Sequence, residues 1–271
     1  MANGRIPSLL SILGATVCAF ALAGAGKFEE KTAAPDFSGP WMRNGNAFDF
    51  AAPPAGTGPG PLVNTSGDRL VPVGNYDSPL LKPWAAAIVK KHGDTLLAGT
   101  LAPDAHTACY PMGVPYVLQV RDNVWLLQTP DWITIAYQNG SQRRLVHLNA
   151  KHSEHPTPSW FGESVGYYEG DTLVIDTIGV AVHETSAIDR FGTPHTDAMR
   201  VVERYRVSDD RKSMRVDFTV DDPGTFNMPW HASVSYGRGT ATPGEYVCAE
   251  NTNNYFHEDE YPIPETDRPD F

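Results

Sequence analysis

Hydrophobic positions alternate with polar ones through most of the chain after residue 113, a period of two that is typical of strands with one buried face. The pattern predicts nine strands, at 114–120, 123–128, 132–138, 143–149, 163–168, 172–177, 200–207, 213–220 and 231–236. Turn-forming residues separate many of them, among them Asn139-Gly140 and the run from Asp222 to Gly224. Because short polar turns join consecutive strands, we expect successive antiparallel hairpins.

A meander of about nine strands can close on itself, which removes exposed strand edges and can enclose a small ligand. We therefore predict a mainly β fold, in which an antiparallel meander closes into a lipocalin-like barrel. A sandwich of two sheets is the alternative.

A period near four residues occurs once, before the strands. Leu80, Trp84 and Ile88 recur at i, i+4 and i+8, with Ser78 suited to cap a helix and Gly93 to end it. We expect this one helix to pack its apolar stripe on the rest of the fold. The Pro- and Gly-rich stretch before it, residues 24–77, predicts an extended arm that wraps the surface.

The first 23 residues predict a cleaved signal peptide. Arg5 precedes an apolar run from Leu9 to Ala23, which ends in small residues and is shorter than a comfortable membrane span. The mature protein is therefore expected to be periplasmic or secreted, with no membrane segment after cleavage. The predicted organisation is a signal peptide at 1–23, the arm at 24–77, a single domain of helix plus barrel at 78–256, and an acidic tail at 257–271.

The charge of the chain limits the class of binding partner, and its cysteine content bears on disulfide bonding. The chain has 32 acidic and 21 basic residues, a formal charge of -11, and no basic run with interleaved aromatic residues, so no nucleic acid partner is predicted. Signal cleavage would leave two cysteines, Cys109 and Cys248, in a compartment that permits disulfides. We predict a bridge between them; two independent buried thiols are the alternative.

Two long connections interrupt the strands, at 150–161 and 180–198, and long loops on rigid scaffolds often carry functional groups. His152 lies in the first, and Asp189 and His195 lie in the second. In an antiparallel barrel, alternate connections emerge at one end, so the two loops are expected to share a rim. The hypothesis is that His152 and His195 transfer protons while Asp176 or Asp189 orients one imidazole.

Two other motifs give weaker evidence of a chemical function. Residues 162–166 match the G-x-S-x-G nucleophile elbow, but a strand and no helix follows Ser164, so a serine hydrolase is not predicted. His147, His152 and His155 offer imidazoles, but their spacing is not the i, i+4 pair that a helix presents to zinc. No metal site is predicted.

Several blocks of sequence resemble a large family of exported bacterial proteins mostly labelled hypothetical. The core signature is Pro158-Ser159-Trp160-Phe161-Gly162-Glu163-Ser164-Val165-Gly166, followed by the run from Glu169-Gly170-Asp171 to Gly179; further blocks lie at 109–113, 189–196, 201–205 and 245–251. The likeness extends from about Asp36 to about Asn251. It implies export and an antiparallel barrel rather than a chemistry. The positions that match its motif are His152, Trp160, Ser164, Asp171, Asp176, Asp189, His195, Glu203 and Arg204.

A nucleotide fingerprint, phosphate loop or haem motif is not found, so no cofactor is predicted. The first hypothesis is an exported enzyme, a lyase, isomerase or hydrolase, that acts by acid/base chemistry on a small apolar or aromatic substrate held in the barrel. The alternative is a non-catalytic periplasmic carrier or sensor of such a molecule. In addition to the catalytic groups, the residues expected to bind the substrate are Trp160, Ser164, Tyr167, Tyr137 and Arg204.

Overall fold

Nine strands close into one barrel in the computed structural model, which describes residues 1, 34–44, 48–102, 104–138 and 142–246. Each strand pairs with the next along the chain, and the first pairs with the last, so the predicted barrel is confirmed. The strands are β1 Gly39–Arg43, β2 Asn123–Gln128, β3 Trp132–Tyr137, β4 Arg143–Leu148, β5 Glu163–Glu169, β6 Thr172–Ile178, β7 Arg200–Val207, β8 Ser213–Asp221 and β9 Trp230–Arg238.

The strand predicted at 114–120 is wrong, and the first barrel strand lies in the predicted arm instead. Tyr116–Gln119 form a 3-10 helix whose four residues are all buried, so no polar face marks an alternation there. The barrel is completed by β1, where Trp41 is opposite Val124 of β2 and Arg238 of β9. Five residues with Gly and Pro at their start give only a weak strand signal.

One pairing is parallel, which corrects the expectation of antiparallel pairs throughout. Val146 of β4 is opposite Ser164 of β5, and both strands run in the same direction. The connection at 149–162 is long enough to return the chain from one end of the barrel to the other. As a result, β4 and β5 both start at the end where the 179–199 connection joins β6 to β7, and we call this end the mouth. The two long connections therefore meet at one rim, as predicted.

The helix α1 spans Pro83–Leu97 and buries a different face from the predicted one. Ala85, Val89 and Gly93 are buried, whereas Trp84 and Ile88 are 42% and 41% exposed. The small residues let the helix backbone approach its neighbours closely: a Cβ at Gly93 would lie 2.9 Å from Val73 Cγ1. Close backbone approach, rather than the largest apolar residues, sets the orientation of the helix.

The inner face of the barrel is filled mostly by large apolar side chains, including Trp41, Leu126, Ile133, Ile175 and Trp230. No helix in the described part of the chain combines the length and apolar character needed to cross a bilayer. The predicted signal peptide, Cys248 and the acidic tail lie outside the described residues. The signal, the bridge to Cys109 and the tail therefore stay predictions.

Candidate functional site

A polar network lies inside the barrel wall near the mouth. Strand alternation turns Arg144, Ser164, Thr177 and Glu203 inward from β4, β5, β6 and β7, and Arg144 and Glu203 are 1% and 0% exposed. Arg144 Nη2 donates to Glu203 Oε2 and to Thr177 Oγ1, both at 2.5 Å, and Arg144 Nε donates to Ser164 Oγ at 2.8 Å. The Tyr205 hydroxyl donates to Glu203 Oε1 at 2.8 Å. The buried ion pair is thus supported by further hydrogen bonds, as buried charges require.

The network holds its groups in defined protonation states. Burial opposes the charge on Arg144, but the attraction of Glu203 and then of Tyr137 outweighs it, and the pKa of the guanidinium lies above its ordinary value. Burial raises the pKa of the Tyr205 phenol well above its usual range, and the neighbouring Glu203 raises it further. At neutral pH the arginine is charged, and the phenol is a neutral donor.

Three buried polar atoms beside this network have no hydrogen-bond partner among the described residues: Arg144 Nη1, the Tyr137 hydroxyl oxygen and Gln142 Oε1. Burial raises the pKa of Tyr137 to about 12, and the nearby Arg144 charge opposes that rise, although no contact between the two side chains has hydrogen-bond geometry. An unpartnered buried polar group costs on the order of 1–3 kcal/mol. A partner atom brought by a ligand would recover part of this cost.

An open cavity of about 580 Å³ borders the network at the mouth, and we call it the mouth cavity. Its walls include Gln142, Arg144, Trp160, Phe161 and Ser164. The Phe161 ring stacks on Tyr137, and the Trp160 ring stacks on Tyr110, with centroids 5.5 and 5.2 Å apart. The volume is in the range of small-molecule sites, and the walls combine aromatic surface with one buried cation.

The residues predicted to bind substrate divide into two sets. Trp160 and Ser164 line the mouth cavity, and Tyr137 lies against its Phe161 wall. Tyr167 and Arg204 lie on the outer wall instead: Tyr167 is 43% exposed, and the Arg204 guanidinium pairs with Glu169. The reason is alternation, because their neighbours Tyr168 and Glu203 turn inward.

His152 lies outside the barrel wall, where the 149–162 connection crosses it. His152 Nδ1 is 3.0 Å from Glu163 Oε1, and its Nε2 is 3.7 Å from Asp176 Oδ2. Asp176 also accepts from Arg200 Nε at 2.8 Å. Hydrogen bonds from the Ser153 side chain and backbone hold the pKa of Glu163 below its ordinary value. Both imidazole nitrogens thus face carboxylates, and the cluster ties the connection to the wall.

His195 and Asp189 lie in the 179–199 connection. Asp189 is 3% exposed and accepts hydrogen bonds from Phe191 N, Thr193 N and the Thr193 hydroxyl, so it holds the turn at 189–193. Burial raises its pKa to about 6. His195 is 4% exposed, and burial lowers its pKa.

The two predicted proton-transfer histidines do not share a cavity. His195 lines a second cavity of about 600 Å³, which shares no wall residue with the mouth cavity, and His152 lines neither. Joint catalysis by the pair stays a prediction that this arrangement does not favour. Among the described residues, no group of three or more His, Cys, Asp or Glu is placed to hold a metal ion.

Arg144 is the site residue that sequence reasoning missed. The signal was present, because Val146 and Leu148 occupy the inner face of β4 and alternation places Arg144 with them. An arginine on a buried face is easily assigned to solvent, since charged residues are seldom buried unless they are paired. Its partner Glu203 is 59 positions away in sequence.

Comparison with known proteins gives no match, either to a family model or to a curated protein. The resemblance to an exported bacterial family therefore stays a prediction. Function has to be argued from the chemistry of the site.

Proposed function

We propose that this chain is an exported small-molecule-binding protein whose ligand occupies the mouth cavity. The ligand's aromatic ring would lie against Trp160 and Phe161, and an oxygen of the ligand would accept a hydrogen bond from Arg144 Nη1. The observation that carries the proposal is the fully buried Arg144 in the cavity wall, with one nitrogen unpartnered among the described residues.

The charges around the cavity favour a neutral oxygen, such as a carbonyl, over an anion. Glu203 already compensates the positive charge of Arg144 at 2.5 Å. Glu163 and the exposed Arg143 both line the cavity, and their opposite charges leave no net attraction for a ligand carboxylate. A carbonyl oxygen can accept from a charged donor without bringing a charge that must itself be compensated.

Binding is favoured over catalysis because the predicted catalytic groups are engaged in structural contacts away from the mouth cavity. His152 faces two carboxylates, Asp176 pairs with Arg200, and Asp189 holds a turn. Acid/base catalysis without a cofactor is the second candidate. It is favoured by His155, which lines the same cavity as Arg144 and is exposed to solvent.

Calorimetric titration with three probes of nearly one shape tests the proposal: acetophenone, α-methylstyrene and benzoate. We expect acetophenone to bind most tightly, by about tenfold over α-methylstyrene, which is the value of one hydrogen bond from a charged donor. Mass analysis of the same samples reports any conversion. Turnover of acetophenone or a related carbonyl compound would move the conclusion to the enzyme.

A matched pair of variants locates the binding. Thr157 lines the mouth cavity and is exposed, so Thr157→Trp should fill the cavity without disturbing the core. Lys212→Trp places the same ring at an exposed position at the opposite end of the barrel. Binding that survives in Thr157→Trp, or is absent from the wild type for all three probes, contradicts the proposal.

A further inference from the structure

The second cavity, which we call the side cavity, is bordered by exposed apolar side chains. Trp84 and Ile88 of α1 and Val182 of the β6–β7 connection are 42%, 41% and 56% exposed, and all three line it together with His195. Its volume of about 600 Å³ can take a small ligand. Apolar surface gathered around a concave site is more often a binding site than a solvated face.

His195, which lines this cavity, carries a hydrogen-bond acceptor that has no partner among the described residues. Its Nδ1 is 3.1 Å from the Thr196 carbonyl oxygen, which can only accept, so Nδ1 carries the proton. Burial holds the pKa of the ring below its ordinary value, so the imidazole is neutral at pH 7 and Nε2 has a free lone pair. No donor to Nε2 is found among the described residues, although the side chain is 4% exposed.

The surroundings keep this acceptor in position. Asp222 accepts from Thr196 N at 2.7 Å and from Thr225 Oγ1 at 2.8 Å, which fixes the backbone next to His195. Trp84 Nε1 donates to the Gly224 carbonyl oxygen at 2.9 Å, which fixes the ring that forms the opposite wall. The acceptor and the apolar wall are thus held before any ligand binds.

We propose that the side cavity is a second binding site, for a small neutral aromatic molecule with one hydroxyl group. The hydroxyl donates to His195 Nε2, and the ring lies against Trp84 and Ile88. An anion is disfavoured because Glu184 and Asp197 also line the cavity, and because the unprotonated Nε2 can only accept a hydrogen bond. Glu184 and Asp197 would attract an ammonium group, but that group would lose hydration against three apolar side chains, so a neutral hydroxyl is the donor that we propose.

The test measures how His195 discriminates phenol from toluene, in which a methyl group of similar size replaces the hydroxyl. The ratio of the toluene Kd to the phenol Kd is determined for the wild type and for His195→Leu, so that the difference in hydration of the two probes cancels. We expect the ratio to fall about tenfold in His195→Leu, as for loss of one buried hydrogen bond. His195→Gln keeps an acceptor and should recover part of the ratio.

Two further measurements keep the test valid if His195→Leu does not fold. In wild-type protein, phenol but not toluene should shift the ¹⁵N resonance of His195 Nε2, which is assigned by its absence from the His195→Gln spectrum. Val182→Trp, at an exposed wall of the side cavity, should abolish the shift, whereas Thr157→Trp at the mouth cavity should leave it unchanged. This second control separates the side cavity from the proposed mouth site.

An unchanged ratio in His195→Leu, a proton on Nε2 instead of Nδ1, or a phenol response that Thr157→Trp removes would each overturn the proposal.

Discussion

Two tyrosines on the inner face of the barrel differ in one respect that can be measured. Tyr137 and Tyr205 are 4% and 2% exposed, and both lie beside the Arg144–Glu203 pair. The Tyr205 hydroxyl donates to Glu203 Oε1 at 2.8 Å. The Tyr137 hydroxyl contacts the Arg144 side chain without hydrogen-bond geometry and has no other polar partner among the described residues. Replacing each with Phe therefore removes a hydroxyl that makes a hydrogen bond in one case and a hydroxyl that makes none of proper geometry in the other.

The expected magnitudes follow from this difference. Tyr205→Phe loses a hydrogen bond to a charged group and should lower the free energy of unfolding by about 2 kcal/mol. Tyr137→Phe removes a hydroxyl whose contact with Arg144 lacks hydrogen-bond geometry and compensates little of its desolvation, so it should leave stability unchanged or raise it by about 1 kcal/mol. The two melting temperatures should then differ by roughly 4–12 °C for a domain of this size.

Urea unfolding of the ligand-free protein at pH 7, followed by circular dichroism, gives both values. Tyr110→Phe is the control for loss of a phenol hydroxyl at a 41% exposed position, and it should change stability by less than about 0.5 kcal/mol. Equal destabilisation by Tyr137→Phe and Tyr205→Phe would refute the reasoning. It would mean that the Tyr137 hydroxyl has a partner in solution, and the mouth site would lose one of its unpartnered groups.

Three further predictions concern pH and the helix. Burial raises the pKa of Tyr137 to about 12, while an unfolded tyrosine titrates near 10, so between pH 10 and 12 only the unfolded phenol ionises and the folded state loses stability. The fall in the urea midpoint from pH 9 to pH 11 should therefore be smaller in Tyr137→Phe than in the wild type. The raised Asp189 pKa of about 6 makes its buried carboxylate cost roughly 3 kcal/mol at pH 7, a cost that disappears as pH falls through 6 towards 4. Asp189→Asn should therefore gain less stability than wild type between pH 7 and pH 4.5, and parallel profiles would contradict the assignment. In α1, Val89→Ala should cost about 2 kcal/mol and Ile88→Ala less than about 1 kcal/mol by thermal unfolding, the reverse of what the apolar stripe in the sequence indicates.

The local pattern of the chain determined most of the strands. Eight of the nine predicted runs became β2 to β9, with bounds shifted by no more than two residues, because alternation is a property of each strand by itself. The alternation in β4 also places His147 on the exposed face of the strand, on the other side from Val146 and Leu148. Trp160 and Ser164 of the mouth cavity were also named from sequence.

Tertiary structure decided what alternation does not encode, namely which strands become neighbours and which side of an element is covered. Tyr116–Gln119 are buried on all sides, so their apolar run gave a strand signal where a 3-10 helix forms. The helix turned its small residues inward because Gly93 allows close approach to Val73, and this left Trp84 and Ile88 at the side cavity.

The mouth site depended most on the pairing of β4, β5, β6 and β7. Arg144 and Glu203 are 59 positions apart, and neither position alone indicates a buried charge. Ser164, Thr177 and Glu203 surround the Arg144 guanidinium only when β4 to β7 are adjacent. Their hydrogen bonds then offset the free energy of desolvating the buried charge. The sequence determined which side chains turn inward, and the fold determined which of them meet. Contacts between residues that are distant in sequence form only when their strands have become neighbours in the sheet.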